Sequence, residues 1–113
     1  MLPNKHRLRK NADFRKVYRS AKSYPSKYLV LYQKKRSGDT LRIGFSLSKK
    51  VGKANVRNLY KRRLREITRS LLPHIQTGND LVILARIPVT NLDYAELEKN
   101  VIYLLKKSGV WIA

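Results

Sequence analysis

Residues Asn55–Leu72 read NVRNLYKRRLREITRSLL, and the architecture follows from how that stretch must lie. At about 100° per residue, Val56, Tyr60, Leu64, Ile67 and Leu71 gather within an arc of roughly 80°, an apolar stripe that has to face a core. Arg57, Asn58, Lys61, Arg62, Arg65 and Arg69 fill the neighbouring arc. Asn55 stands where a helix wants a cap, and Pro73 ends the run. A solvated helix surface mixes signs so that i,i+4 pairs can form, yet Glu66 is the only acid here. The cations are therefore read as a rigid phosphate-binding face rather than as ordinary solvated charge.

Upstream, Ser48–Lys53 adds Lys49, Lys50 and Lys53 around Gly52, which lets backbone approach an anion near a helix start. Before that loop, Leu41, Ile43, Phe45 and Leu47 alternate with Arg42, Gly44, Ser46 and Ser48, a strand with one apolar and one small, hydroxylated face. Ser37-Gly38-Asp39 is turn chemistry. Lys27–Lys35 is a further strand, with Tyr28, Val30 and Tyr32 on one face and Leu29 and Leu31 on the other. The two strands read as a hairpin. Asn11–Ala21 is a short helix capped by Asn11, with Phe14, Val17, Tyr18 and Ala21 at helical spacing. Met1–Lys10 reads as a basic arm, extended or partly ordered. Downstream, Gly78-Asn79 turns into a buried strand, Asp80–Arg86, closed by Pro88. A last helix starts near Asp93 with Glu96 completing a capping box, buries Leu97, Val101, Leu104 and Leu105, and stops at Gly109.

The chain has 113 residues, 42% of them hydrophobic, which suits one domain over 1–113 with one modest core. Its 26 Lys and Arg face only 7 Asp and Glu, a formal net charge of +19. Residues 1–70 hold 22 of the cations with Asp13, Asp39 and Glu66, whereas residues 71–113 are balanced at four of each sign. Self-repulsion on that scale calls for a polyanionic partner. Without Cys there is no disulfide framework or thiolate metal site. The first twenty residues hold no secretory apolar run and no stretch is long enough to span a membrane, so a cytoplasmic protein with no membrane partner is expected. An enzyme with its own active site fits poorly, because His6, His74 and the aspartates show no paired-carboxylate or zinc spacing; no catalytic and no metal-binding residue is assigned. A small ribosomal or RNA-chaperone protein is the better rival, and a membrane-surface protein the third.

The run Gly44–Glu66, from Gly-Phe-Ser-Leu-Ser-Lys-Lys through Arg57-Asn58-Leu59-Tyr60-Lys61-Arg62-Arg63-Leu64-Arg65, closely resembles the signature of the bacterial ribonuclease P protein subunit. The resemblance extends over nearly the whole chain, through Leu8-Arg9-Lys10-Asn11 with Phe14, through Leu31-Tyr32, and through Val82–Arg86 with Pro88. One position departs: Leu59 stands where the family has the second Arg of Arg-Asn-Arg, leaving Arg63 or Arg69 to replace some of its charge. The resemblance implies an α+β fold, an α-β sandwich of order αβββαβα. Its mixed four-stranded sheet includes an extra short strand near Ser20–Tyr24, and its basic helix lies in a left-handed βαβ crossover, against the general rule. It further implies a protein that assists removal of the 5′ leader from precursor tRNA. The chemistry is then carried by the ribonuclease P RNA with Mg²⁺ in the holoenzyme, and the protein alone binds no cofactor.

Two surfaces follow from carrying the family roles onto this sequence. Lys49, Lys50, Lys53, Arg57, Asn58, Lys61, Arg62, Arg65 and Arg69 are expected to bind the RNA subunit, as Arg forks and Lys point charges suit phosphates. Phe14, Tyr18, Tyr28 and Tyr32, with the small Ser46 and Ser48, are expected to bind the leader of precursor tRNA, since single-stranded RNA takes rings for stacking and small side chains for close approach.

Overall fold

The helices and strands run α1 (Asn11–Ser20), β1 (Lys22–Pro25), β2 (Leu29–Lys35), β3 (Leu41–Leu47), α2 (Ala54–Leu71), β4 (Asn79–Ala85) and α3 (Tyr94–Ser108), in a computed structural model that describes residues 2–112, the Asn4 side chain apart. This is the αβββαβα order. The strands form one mixed sheet in the order β1-β2-β4-β3, in which β1 and β2 are antiparallel, β2 and β4 antiparallel, and β3 and β4 parallel.

Alternation decides which face each strand gives to which layer. Leu29, Leu31, Leu41, Ile43, Leu81 and Ile83 point to the face where α2 delivers Tyr60, Leu64, Ile67 and Leu71 and α3 delivers Leu97, Val101, Leu104 and Leu105. The opposite face holds a smaller cluster, Leu8, Val17 and Val82, against which Phe14, Ala21 and Tyr32 pack. α1 therefore covers one side of the sheet while α2 and α3 cover the other. Asp93 caps α3 by accepting from the Glu96 N–H at 2.8 Å while Glu96 Oε1 accepts from the Asp93 N–H at 3.1 Å, and the helix ends at Gly109.

Three expectations need correction. β2 and β3 do not form a hairpin, because β4 lies between them. β4 is apolar toward both faces and belongs in the middle of the sheet; the 36–40 connection instead wraps the Gly78 turn, through Arg36 N–H to Gly78 O at 2.8 Å and Gly78 N–H to Thr40 O at 2.8 Å. Gly78 has φ +77°, and a Cβ there would lie 3.1 Å from the Gly38 carbonyl oxygen, so this close turn needs glycine. Second, neither Asn11 nor Asn55 is a cap: Lys10 and Lys53 hold the cap positions of α1 and α2, without a side-chain cap bond. Third, Tyr28 does not share the face of Val30 and Tyr32; it precedes β2 in a bend held by Ser26 Oγ and packs on the α2/α3 side. The basic arm, expected to be extended or partly ordered, is docked on the sheet. Leu2 and Leu8 are buried, the Leu8 N–H donates to Ile43 O at 3.0 Å, and His6 Nδ1 lies 2.7 Å from Leu41 O, so the arm lines the free edge of β3.

One contact sets how closely α1 approaches the sheet. A Cβ on Gly44 would lie 2.5 Å from Phe14 Cζ and 3.0 Å from Leu8 Cβ, so the Phe14 ring occupies the space that any side chain at 44 would need. Gly44→Ala is expected to cost about 1–3 kcal/mol and to cost much less in a Phe14→Ala background. Thermal unfolding of the four proteins of that double-mutant cycle checks it; equal penalties in both backgrounds would refute the contact.

Candidate nucleic-acid interface

Five of the α2 cations fall in two rows: Arg57, Lys61 and Arg65, spaced i,i+4, are half-buried, while Arg62 and Arg69 stand exposed with Asn58. Arg63 packs over the Tyr60 ring, 5.2 Å from its centroid. The row begins at the loop before the helix. There a one-turn 3₁₀ helix, Lys49–Val51, is pinned by the buried Val51, and Lys49, Gly52, Lys53 and Arg57 surround a shallow concavity. Lys50 and Ser48 are exposed beside it. No side chain caps the first turn of α2, which leaves its first N–H groups without a side-chain acceptor.

These charges are almost wholly unneutralised from within. Among the described residues the only carboxylate near an α2 cation is Glu66, 3.9 Å from Arg62, and both side chains are about half exposed or more. An exposed pair of that length contributes little. The carboxylates that are well placed serve another purpose. Asp80, its side chain 8% exposed, accepts from Arg42 Nε at 3.0 Å, from Arg42 Nη2 at 2.9 Å and from Arg36 Nη1 at 3.1 Å. Arg42 reaches on to Asp13 of α1 at 3.4 Å. The hydrogen bond to Asp80 holds the Arg42 guanidinium above its ordinary pKa despite the opposing effect of burial. The cluster ties α1 to β3 and β4 and so fixes one wall of a groove.

That groove, about 470 Å³, runs between α1 and the β3 edge and is lined by Asn11, Phe14, Arg15, Tyr18, Phe45, Ser46, Leu47 and Lys61. Phe14 and Tyr18 lie one turn apart with centroids 6.4 Å apart, and Tyr18 meets Tyr32 edge to face at 4.9 Å. Phe14, Tyr18 and Ser46 thus line one wall-and-floor arrangement. Tyr32 braces Tyr18 without lining the groove, and Tyr28 is remote from it on the other side of the sheet. Phe45 and Leu47, read as part of the apolar face of their strand, are half-buried and, because β3 is an edge strand, also line the groove. Asn11 and Arg15 carried a usable signal, as they flank Phe14 and Tyr18 on the same helix. Lys61, expected to bind the RNA subunit, lines the groove.

Among the described residues no three His, Asp or Glu side chains cluster as metal ligands would, and no helix is long and apolar enough to cross a membrane. The arrangement brings cations and aromatic rings together, which suits the binding of polyanion and base.

Comparison with known proteins bears on the same residues. The family model described as ribonuclease P matches residues 2–109. The ribonuclease P protein components of Listeria monocytogenes serotype 4a and of Bacillus cereus AH187 are 42% and 41% identical over 110 residues, 96% of this chain and 92% and 96% of theirs. The Staphylococcus aureus RNase P protein superposes with a TM-score of 0.88 at 32% identity, covering 94% of this chain and 97% of that one. The Thermotoga maritima protein gives 0.82 at 32% identity, covering 89% and 96%. A docked arm, a basic helix and an aromatic groove on a β1-β2-β4-β3 sheet, together with similarity that runs almost from end to end, place this chain in the ribonuclease P protein family.

Proposed function

We propose that this subunit of ribonuclease P uses its two surfaces for two RNAs. Arg57, Arg62 and Arg69 of α2 and the Lys49–Lys53 loop engage the RNA subunit, and the groove between α1 and β3 holds the single-stranded 5′ leader of precursor tRNA. Hydrolysis of the leader then belongs to the RNA subunit with Mg²⁺, in the cytoplasm. In support, the carboxylates nearest the groove wall, Asp13 and Asp80, are already engaged by Arg36 and Arg42. The observation that carries the reading is the convergence of unpaired cations with exposed rings: Lys61 belongs both to the α2 row and to the groove that contains Phe14 and Tyr18.

The direct test is cleavage of precursor tRNA by a bacterial ribonuclease P RNA at low Mg²⁺. Adding this protein is expected to restore cleavage at the mature 5′ end, while RNA-free protein cleaves nothing. Restoration by neither this chain nor a stoichiometric excess of it would overturn the assignment.

Charge neutralisation tests the α2 surface. Replacing Arg57 and Arg62 together by Gln is expected to weaken RNA-subunit binding and to reduce the slope of log affinity against log salt by roughly 0.7–0.9 per lost contact. An unchanged slope would remove these residues from the contact.

For the groove, Tyr32→Ala withdraws the ring that braces Tyr18. Holoenzyme affinity for precursor tRNA should fall by up to about 1–3 kcal/mol, with affinity for mature tRNA hardly changed. Equal loss for both ligands in a folded variant would assign Tyr32 to packing alone.

A further inference from the structure

The end of the sheet away from the Lys49–Lys53 loop carries a second concentration of charge. β2 finishes there at Lys35 while β3 and β4 begin there, which puts it one strand length, about 20 Å, from that loop. Two neighbouring hollows open at this end. One, about 500 Å³, lies between the start of β1 and the end of α3, with Lys22, Lys34, Lys35 and Gln76 among its walls. The other, about 270 Å³, lies beside α1, with Lys16, Lys34, Lys35 and Arg36 among its walls. Lys34 and Lys35 line both.

Strand alternation spreads these cations around the sheet. Lys34 falls on the face of Tyr32, toward α1, and Lys35 on the face of Leu31, toward α3. Lys22, opposite Gln33 in the register, adds to the α3 side. Register also explains why Lys34 lacks a counterion. Asp80 lies between Lys34 and Arg42 across the sheet, and opposite charges so placed ordinarily pair. Both Asp80 oxygens are already taken, Oδ1 by Arg42 Nε and Arg36 Nη1 and Oδ2 by Arg42 Nη2. Among the described residues no carboxylate lies within 4.0 Å of Lys16, Lys22, Lys34 or Lys35. Asp39, on the adjoining turn, lines neither hollow.

The make-up of this surface differs from that of the groove. Its one ring, Tyr24, is half-buried and packed on the core, which leaves little for a base to stack on. Its unpaired cations are lysines, point charges without the planar fork of arginine, and the hydroxyls and amides of Ser20, Gln33, Gln76 and Ser108 stand around them. Double-helical RNA hides its base edges and presents phosphates and 2′-hydroxyls, which such a surface suits.

We propose that this end of the sheet is a further docking surface, taking the phosphate backbone of double-helical RNA across the two hollows, with Lys22 and Lys35 on one side of the sheet and Lys16 and Lys34 on the other. It is separate from the groove and from α2, and it stands whether or not the groove holds the leader. In the holoenzyme, helical RNA comes from two sources, the RNA subunit and the body of the tRNA.

The test assembles holoenzyme with Lys22→Gln/Lys35→Gln protein, in which both altered residues are exposed. Lys22→Arg/Lys35→Arg keeps the charge, and Lys99→Gln, exposed on α3, measures the effect of lost net charge alone. The Gln pair is expected to lower the slope of log affinity against log salt by about 0.9 per lost contact, roughly an eightfold loss of affinity for each near 0.1 M monovalent salt. The Arg pair should bind as the unaltered protein does, and Lys99→Gln should hardly differ from it. Weaker binding of the isolated RNA subunit assigns the surface to that RNA; with that binding unchanged, an equal loss for precursor and mature tRNA assigns it to the tRNA body. Either result supports the proposal. A loss confined to precursor tRNA would overturn it, because the single-stranded leader would then be the occupant. An unchanged slope with every RNA, or a loss per charge no greater than that of Lys99→Gln, would overturn it as well.

Discussion

β4 is buried along almost its whole length on both faces, with Val82 turned toward α1 and Leu81 and Ile83 toward α2 and α3. A strand of that composition can only lie inside a sheet, and once it does the remaining geometry is constrained. Its neighbours are β2 on one side and β3 on the other. Since β3 runs parallel to it, the chain between them must cross from one end of the sheet to the other, and α2 is that crossing. The basic helix is therefore set beside the β3 edge by pairing requirements in the core, not by its charge. The carboxylate of Asp80, near the start of β4, extends the same constraint to the opposite layer. It binds Arg42 through two hydrogen bonds, and Arg42 reaches Asp13 of α1.

Electrostatically, of the molecule's few acids only Glu66 stands among the cations of α2. Asp13 and Asp80 hold the sheet and α1 in register, while Asp93 and Glu96 terminate α3. The cations of α2, of its preceding loop and of the arm are left with hardly any internal counterion. Burying a paired charge stabilises little beyond its desolvation cost, so the Asp80 cluster is better understood as fixing geometry than as supplying net stability. The free cations repel one another in the isolated protein, and a polyanion relieves that repulsion as it binds.

Periodicity alone exposes much of this. The apolar stripe of α2, the opposed faces of Leu29 and Leu31 against Val30 and Tyr32, and the Asp93–Glu96 box all depend on short-range spacing, and all appear where that spacing puts them. What local pattern misses has a common cause in contacts made over long separations. Two successive strands joined by Ser37-Gly38-Asp39 look like a hairpin until a strand some forty residues later claims the space between them. Leu2 and Leu8 look incidental within a basic segment until the unpaired edge of β3 gives the arm a place to dock. Tyr28 follows alternation on paper, but the Ser26 hydroxyl ties the bend before β2 and turns it to the other face. Within the interface, the placement of Phe14 over Gly44 and the turning of Lys61 into the groove depend on the tertiary approach of α1, α2 and β3. Spacing could nominate those residues but could not bring them together.

Because the central strand is also the last strand in the chain, the order of synthesis matters to this fold. β2 and β3 both leave the ribosome before the element that joins them, and β3 has no sheet partner until Asn79–Ala85 has emerged. By then most of the chain's positive charge has already been synthesised, on a polypeptide whose sheet is still incomplete. The sheet, the groove and the alignment of the basic helix all close in one late event when β4 inserts. The nascent protein is thus a nonspecific polycation for most of its translation and acquires a shaped RNA surface only near the end.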